Sequence, residues 1–545
     1  MVRANEVIAS SGVPSSGFSL EDLTLALLVG SAVLVVAVAA VRLSARSGLP
    51  SLLVYLGIGL VLGERGLGIN YENAQLTQVL GYAALVLILV EGGLTTRWSG
   101  IRRSVAPAAT LATVGVLVSV AVVAVAARLV LGVSWELAAL VGAVLASTDA
   151  AAVFSVLRRV PLPRRVSGIL EAESGFNDAP AVLLVTTLAF EATREGPGPG
   201  WEVLLLVALV ELLGGAAVGL AVGWAGGRFL ARFAPGSSAL FALGVVAVGV
   251  LAYGAADVVH TSGFLACYLA ALVLGNLGLP HRPALVGLSS ALGYLAQIGL
   301  FVLLGLLADP FDLLDDLLPA VVIGLVLLLL ARPISVLVSC APFRIDWRTQ
   351  AFLSWAGLRG AVPVVLATVP LTLGTPGVDG IFDLVFVLVV VFTLVQAPML
   401  PWVARRLRLD ATVTPVDLAV ETTPLEDLGA DLLEVTVGPG SRLAGVRVFE
   451  LRLPAGVNVA LVVRDGASMV PRAQTRIERG DQLLVVAPSR TRPATESRLE
   501  AVSRDGRLAG WAAADGEPAD LAPPSRLARL EAGGLGGVLG RWRRR

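Results

Sequence analysis

Glu173-Ser174-Gly175-Phe176-Asn177-Asp178-Ala179-Pro180, running on into Ala181-Val182-Leu183-Leu184-Val185, sets two carboxylates, an amide and a hydroxyl into a hydrophobic stretch. Residues four apart lie one above another on a helix, so Glu173 stacks on Asn177 and Ser174 on Asp178. Pro180 has no amide hydrogen, which leaves the carbonyl of Phe176 without its helical partner. A freed carbonyl, a hydroxyl and a carboxylate are hard oxygen ligands, suited to an alkali cation by the ligand logic that governs Ca²⁺ and Mg²⁺. If this segment crosses a membrane, each charge in it costs roughly 2.5–3.5 kcal/mol on insertion scales and needs a partner or a function.

The rest of the chain says that it does cross one. Of 545 residues, 56% are hydrophobic and 15% charged, and mean hydropathy is +0.82; soluble chains run near about 45–50% and 25%. Apolar runs such as Leu25–Val41, Val79–Val90, Leu111–Val130, Val203–Val222, Val321–Leu330 and Val385–Val395 alternate with short polar turns until about Pro401. A bilayer core takes about 20 such residues per helix. The expected architecture is therefore an all-α polytopic membrane domain over residues 21–408 with thirteen transmembrane helices.

Arginine gives the orientation, since short cytoplasmic loops accumulate positive charge. The chain has no lysine, and every second loop is basic: Arg42 and Arg46; Arg97, Arg102 and Arg103; Arg158, Arg159, Arg164 and Arg165; Arg228 and Arg232; Arg282; Arg344 and Arg348; Arg405, Arg406 and Arg408. This predicts an N-terminus outside and a C-terminus in the cytoplasm. Residues 1–20 carry no compact basic leader ahead of the first apolar run and read as a disordered tail. After about residue 410 the pattern shifts to alternating strands, Leu433–Val437, Val457–Val463 and Gln482–Val486, with turns at Asp465-Gly466 and Gly480-Asp481. This predicts a small cytoplasmic α/β domain over 425–490. Residues 491–545, rich in Pro, Ala, Gly and Arg, read as a disordered tail with a basic end. Cys267 and Cys340 lie in separate apolar stretches and read as packing residues; His260 and His281 read as loop residues.

Further charges interrupt the apolar runs: Glu91 before Gly92-Gly93, Asp149 after Ser147-Thr148, and Arg332 and Arg359 late in the chain. In Gly357-Leu358-Arg359-Gly360-Ala361-Val362-Pro363 the proline frees the carbonyl of Arg359, and paired Gly/Pro-interrupted helices are the best sequence pointer to a transporter site. Glu91, Asp149, Glu173 and Asp178 outnumber Arg332 and Arg359, so pairing cannot neutralise every acid. The surplus is fit to bind protons or metal cations. Glu211 and Gln297, also in apolar runs, read as packing residues.

Together, Ser147-Thr148-Asp149, Glu173 through Asp178 and Gly357 through Pro363 resemble the NhaP-type branch of monovalent cation/proton antiporters over nearly all of residues 20–405. The resemblance implies a homodimer, inverted repeats, and a six-helix core that moves against a dimerisation domain. It implies broken helices carrying Thr148 and Arg359 that cross near the site, although around Thr148 the sequence itself offers no Gly or Pro break. It makes Asp178 the shared cation and proton carboxylate, Ser174 and the Thr148 backbone ligands of the monovalent cation, and Asn177 and Asp149 organisers of the crossing. Glu173 is expected to pair with Arg359, and Arg332 to answer Asp149. Glu91 matches a position that contributes a ligand in some members. Asn177 ahead of Asp178 resembles the electroneutral branch, since one carboxylate carries one proton or one cation.

The soluble part resembles the C-terminal half of the regulatory domains of potassium channels and transporters, on Leu433–Val437, Val470-Pro471 and Gly480–Leu483. No strand–GxGxxG–helix fingerprint precedes it. That likeness favours K⁺ over Na⁺ as substrate and implies a small regulatory nucleotide as a partner; no cofactor, nucleic acid or enzymatic chemistry is expected. Two rivals remain at the sequence level. A ligand-gated cation channel needs a TVGYG-like filter, echoed only by Thr113-Val114-Gly115; a non-transporting membrane sensor would use the helices as a scaffold alone.

Overall fold

Inside a bilayer an apolar segment can satisfy its backbone only through its own helical hydrogen bonds, and the first part of the chain is helical accordingly. The computed structural model describes residues 20–509 apart from 48–49, 72, 150–161, 195–199, 234–236, 309–315, 379, 410–419, 426–429, 439, 465 and 489. The chain divides into two units, Met1–Ala411 and Thr412–Arg545. The tail expected at 1–20, residues 510–545 of the tail expected at 491–545, the Arg158-Arg159 loop and Asp465 fall almost wholly outside the described residues.

Among the described residues of the first unit eight helices are long and apolar enough to cross a membrane and four more are short and apolar. The polar-striped helix Arg164–Ala192 completes the thirteen expected. In chain order they are α1 (Leu20–Ser47), α2 (Ser51–Leu62), α3 (Ala74–Thr95), α4 (Val105–Leu131), α5 (Trp135–Val144), α6 (Arg164–Ala192), α7 (Trp201–Phe233), α8 (Ser238–Val258), α9 (Gly263–Asn276), α10 (Arg282–Leu307), α11 (Leu317–Phe343), α12 (Trp347–Trp355) with α13 (Ala361–Thr372) as one interrupted segment, and α14 (Ile381–Arg406). Helices α2, α3, α7, α8, α9 and α10 pack on one another, and α4, α5, α6, α11, α12, α13 and α14 form a second bundle. The two bundles meet chiefly where α13 runs against α3, with a smaller contact of α6 on α9.

Two helices break in the second bundle. Helix α5 stops at Val144 and the chain is non-helical through Ser147, Thr148 and Asp149; α12 stops at Trp355 and the chain is non-helical again before α13. The segments cross, with the amide of Asp149 donating to the Leu358 carbonyl at 2.8 Å. The second break is written in Gly357, Gly360 and Pro363, the proline standing in the first turn of α13, where its missing donor costs nothing. The carbonyl of Arg359 accepts from Thr393 Oγ1 at 3.1 Å, so the helix α14 supplies the partner that the break removed.

In the second unit β1 (Val420–Leu425), β2 (Ala430–Thr436), β3 (Asn458–Arg464), β4 (Ala467–Met469) and β5 (Gln482–Pro488) form one sheet in the order β1-β2-β5-β3-β4, with every pairing antiparallel. Leu433, Val435, Leu483 and Val485 point into the core from alternate positions. The expected boundaries are corrected at both ends. The sheet begins at Val420, and α15 (Arg492–Asp505) buries Leu499 and Val502 against it, so the folded domain runs through residue 509 and the stretch just after 491 is no tail.

Candidate functional site

The crossing of the two broken segments builds the site. Ser147 Oγ donates to Asp178 Oδ1 at 2.5 Å, Ser174 Oγ donates to the Thr148 carbonyl at 3.1 Å, and Asn177 Nδ2 donates to Thr148 Oγ1 at 2.6 Å. The polar stripe of α6 therefore faces the extended segment after α5, as the four-residue stacking requires. Asn177 Oδ1 is buried without a hydrogen-bond partner, an oxygen available to a cation or water beside Asp178. The oxygens of this cluster, from carboxylate, hydroxyl, carbonyl and the Asn177 amide Oδ1, are the kind of ligand an alkali cation takes.

The arginines differ from expectation. Arg332, not Arg359, pairs with Glu173: Nη1 lies 2.5 Å from Oε1 and Nη2 2.9 Å from Oε2, with both side chains nearly inaccessible, 5% and 2%. Arg332 stands in α11, one residue ahead of Pro333 and directly after a π-turn over Leu327–Ala331, which turns its side chain onto α6. Arg359 instead donates through Nη1 to the carbonyls of Ala146 and Ser147. These follow directly on the last turn of α5, where carbonyls lack helical partners and the dipole is negative. Asp149 does not answer Arg332. Its carboxylate lies against the Cα of Gly360, where a Cβ would collide with it, at the N-terminus of α13, whose dipole favours a negative charge. Each buried charge at the crossing thus has a compensating charge or helix end, except Asp178. Among the described residues no cationic side chain pairs with it, and its residue exposure is only 7%.

A cavity of about 350 Å³ reaches Asp178, lined from one bundle by Thr148, Asp149, Glu171, Ser174 and Ala361 and from the other by Glu91, Thr95, Tyr268, Tyr294 and Gln297. Thr95 and Glu171, both exposed, mark its mouth. Glu91 seats its carboxylate on Gly293 of α10, again too close for a Cβ; it faces the cavity and is not in the Asp178 cluster. Sequence reasoning passed over Ser147, Glu171 and Thr393 as site residues. Ser147 stands inside the quoted motif, and Glu171 lies seven residues before Asp178 on the same face of α6, so both carried a readable signal; Thr393, a lone hydroxyl in an apolar run, carried none.

A broken-helix crossing that holds an uncompensated carboxylate, at a seam between two helix bundles and at the end of a cavity, defines a secondary transporter of small cations. The chain belongs to the sodium/hydrogen exchanger family, whose transmembrane model matches residues 32–406; residues 432–499 match the TrkA-C domain. It is 38% identical to the K(+)/H(+) antiporter NhaP of Alkalimonas amylolytica, over 86% of this chain and 82% of that protein. It is 34% identical to the K(+)/H(+) antiporter NhaP2 of Shewanella baltica, over 87% and 82%. The sodium proton antiporter MjNhaP1 from Methanocaldococcus jannaschii shares the fold, with a TM-score of 0.61 at 21% identity over 71% of this chain and 99% of that one.

Proposed function

We propose that the protein exchanges K⁺ for H⁺ across the cytoplasmic membrane, electroneutrally, by competition of the two ions for Asp178. The observation that carries this is Asp178, the buried carboxylate at the crossing that no cationic side chain pairs with among the described residues, joined to a hydroxyl and open to the cavity. Ser174, Thr148 and Asn177 supply the remaining oxygens, Asp149 and Arg359 hold the crossing, and Glu91 tunes the approach. K⁺ is preferred to Na⁺ because the relatives matched over most of the chain are named for K⁺ and a TrkA-C domain is attached. The arginine pattern supports a cytoplasmic C-terminus, and Arg97, two residues beyond Thr95 of the cavity lining, supports a mouth on the same side. The TrkA-C domain is then regulatory, with a small nucleotide as the class of ligand, and the transporter is a homodimer.

The test is exchange in proteoliposomes with K⁺ and with Na⁺, for the native chain and for Asp178→Asn. The amide is nearly isosteric but neither binds a proton nor balances a cation, so the variant inserts and folds normally and exchanges nothing. Asp178→Asn at native rate moves the site elsewhere. Current without proton movement would make the protein a channel, and no flux at all a sensor.

A further inference from the structure

We propose that Gln78 and Thr372 form a latch that seals the site on the face opposite the cavity and must open in every transport cycle. Thr372 Oγ1, at the C-terminus of α13, lies 2.7 Å from Gln78 Oε1, in the first turns of α3, and 2.9 Å from the Val369 carbonyl of its own helix; its one hydrogen has the shorter contact in the acceptor across the seam. These helices belong to different bundles and make the main contact between them. The cavity is lined by the opposite ends of the same helices, Glu91, Gly92 and Thr95 on α3 and Ala361 and Val362 on α13. At 1.5 Å rise per residue, Gln78 lies about 20 Å from Glu91 along α3, and Thr372 about 16 Å from Ala361 along α13. Thr375, just past α13, meets the Ala189 carbonyl near the end of α6, so the C-terminal ends of α6 and α13 lie together on that face.

Between latch and cavity the seam is dry. A Cβ on Gly81, one turn along from Gln78, would press on Val365 Cγ1 at 2.9 Å; α3 and α13 approach this closely because position 81 has no side chain. Val365 and Thr368 are fully buried, and the Thr368 hydroxyl is spent on the Val365 carbonyl of its own helix at 2.7 Å. Among the described residues the α3–α13 side-chain hydrogen bond is thus that of Gln78 with Thr372, at the half-exposed rim of the seal. An apolar seam tolerates sliding, whereas a directed hydrogen bond holds one register. Exposing Asp178 to that face requires α13 to part from α3 there, which breaks this bond first.

The inference rests on the antiport reading, and one protein tests both. In Gln78→Cys with Thr372→Cys, the native Cys267 and Cys340 are buried, so an oxidant or a short bis-methanethiosulfonate acts on the new pair. The reduced protein should exchange K⁺ for H⁺; if it and the native chain do not, the antiport reading fails. The cross-linked protein should lose at least tenfold in exchange and regain it when the same sample is reduced, which separates locking from misfolding. Exchange that persists at complete cross-linking, or a pair that no reagent joins, overturns the latch. Thr372→Val, which keeps the shape and removes the donor, should shift the balance toward the opened face by about fivefold, the worth of one hydrogen bond of about 1 kcal/mol. That shift is read with Gln78 left in place, as faster maleimide labelling from that face of Val365→Cys, fully buried behind the latch, in the Thr372→Val chain than in the chain with Thr372; unchanged labelling counts against the latch.

Discussion

Arg332 and Arg359 occupy the same buried crossing and answer different charges. Arg332 meets Glu173 with two parallel hydrogen bonds, the bidentate geometry that only a guanidinium provides. Removing it strands a buried carboxylate, so Arg332→Ala is expected to lose about 3–5 kcal/mol, seen as a large drop in melting temperature of the solubilised protein. Arg332→Ala combined with Glu173→Gln should recover part of that loss, and a double variant no better than the single one would break the assigned pair. The sequence showed that both arginines and Glu173 lie among apolar neighbours. It did not show who pairs with whom. Helical periodicity gives the face a side chain lies on, while the neighbour across that face depends on the rotation of a second helix. For Arg332 that rotation is set by a local π-turn before Pro333, which no residue pattern announced.

At the scale of the element, the two breaks differ in how they are encoded. The one between α12 and α13 is local, carried by glycines and a proline. The one after α5 lies in Ala146-Ser147-Thr148-Asp149, without either residue, and is held from outside, by the Arg359 guanidinium on the Ala146 and Ser147 carbonyls and by the Leu358 carbonyl on the Asp149 amide. That is why resemblance and not local sequence announced it. The crossing should accordingly be intolerant at Gly360, where any Cβ meets the Asp149 carboxylate: Gly360→Ala is expected to insert normally and to exchange about a hundredfold more slowly, the scale of loss that a misplacement of about 1 Å brings. Near-native flux would mean that the crossing yields easily. In the soluble domain the alternating strands were legible, and α15 was not, since its Arg- and Glu-rich composition resembles a solvated tail. There Asp481 is fully buried; burial pushes its carboxyl up, but hydrogen bonds from Arg464 and the Glu478 amide, with the Arg464 charge, bring it below the usual range. Arg464 grips it at 2.8 Å through both Nε and Nη2. A depressed folded-state value means stability fully present above the unfolded value of about 3.9 and lost as pH falls through the folded one. The TrkA-C domain should therefore lose melting temperature below about pH 4, and an Arg464→Ala variant, already weakened at neutral pH, should lose less in that window.

For the molecule as a whole, the site sits where the two bundles meet, and on the proposed antiport reading relative motion of the bundles carries Asp178 from one face to the other. A bare carboxylate is costly to move through an apolar seam, whereas its protonated and cation-loaded forms are both neutralised. Two loaded forms that move and one empty form that does not are sufficient for coupled exchange, without a second ion pathway. The consequence is competition: a proton on Asp178 excludes the cation. Below the site's pKa the half-saturating cation concentration should rise about tenfold per pH unit, as displacement of a single proton requires. Above it the site stays deprotonated, cation binding is saturable at a constant level, and exchange slows because too few protons are available for the return step. A bell-shaped pH profile follows from occupancy alone, with the TrkA-C domain free to shift the rate without creating the profile. The measurement is the K⁺ half-saturation in proteoliposomes at several symmetrical pH values, on the native chain and on a chain ending after Arg408. A half-saturation that ignores pH across the active range would require separate routes for cation and proton, and a profile that flattens when the soluble domain is removed would move the pH response from Asp178 to that domain.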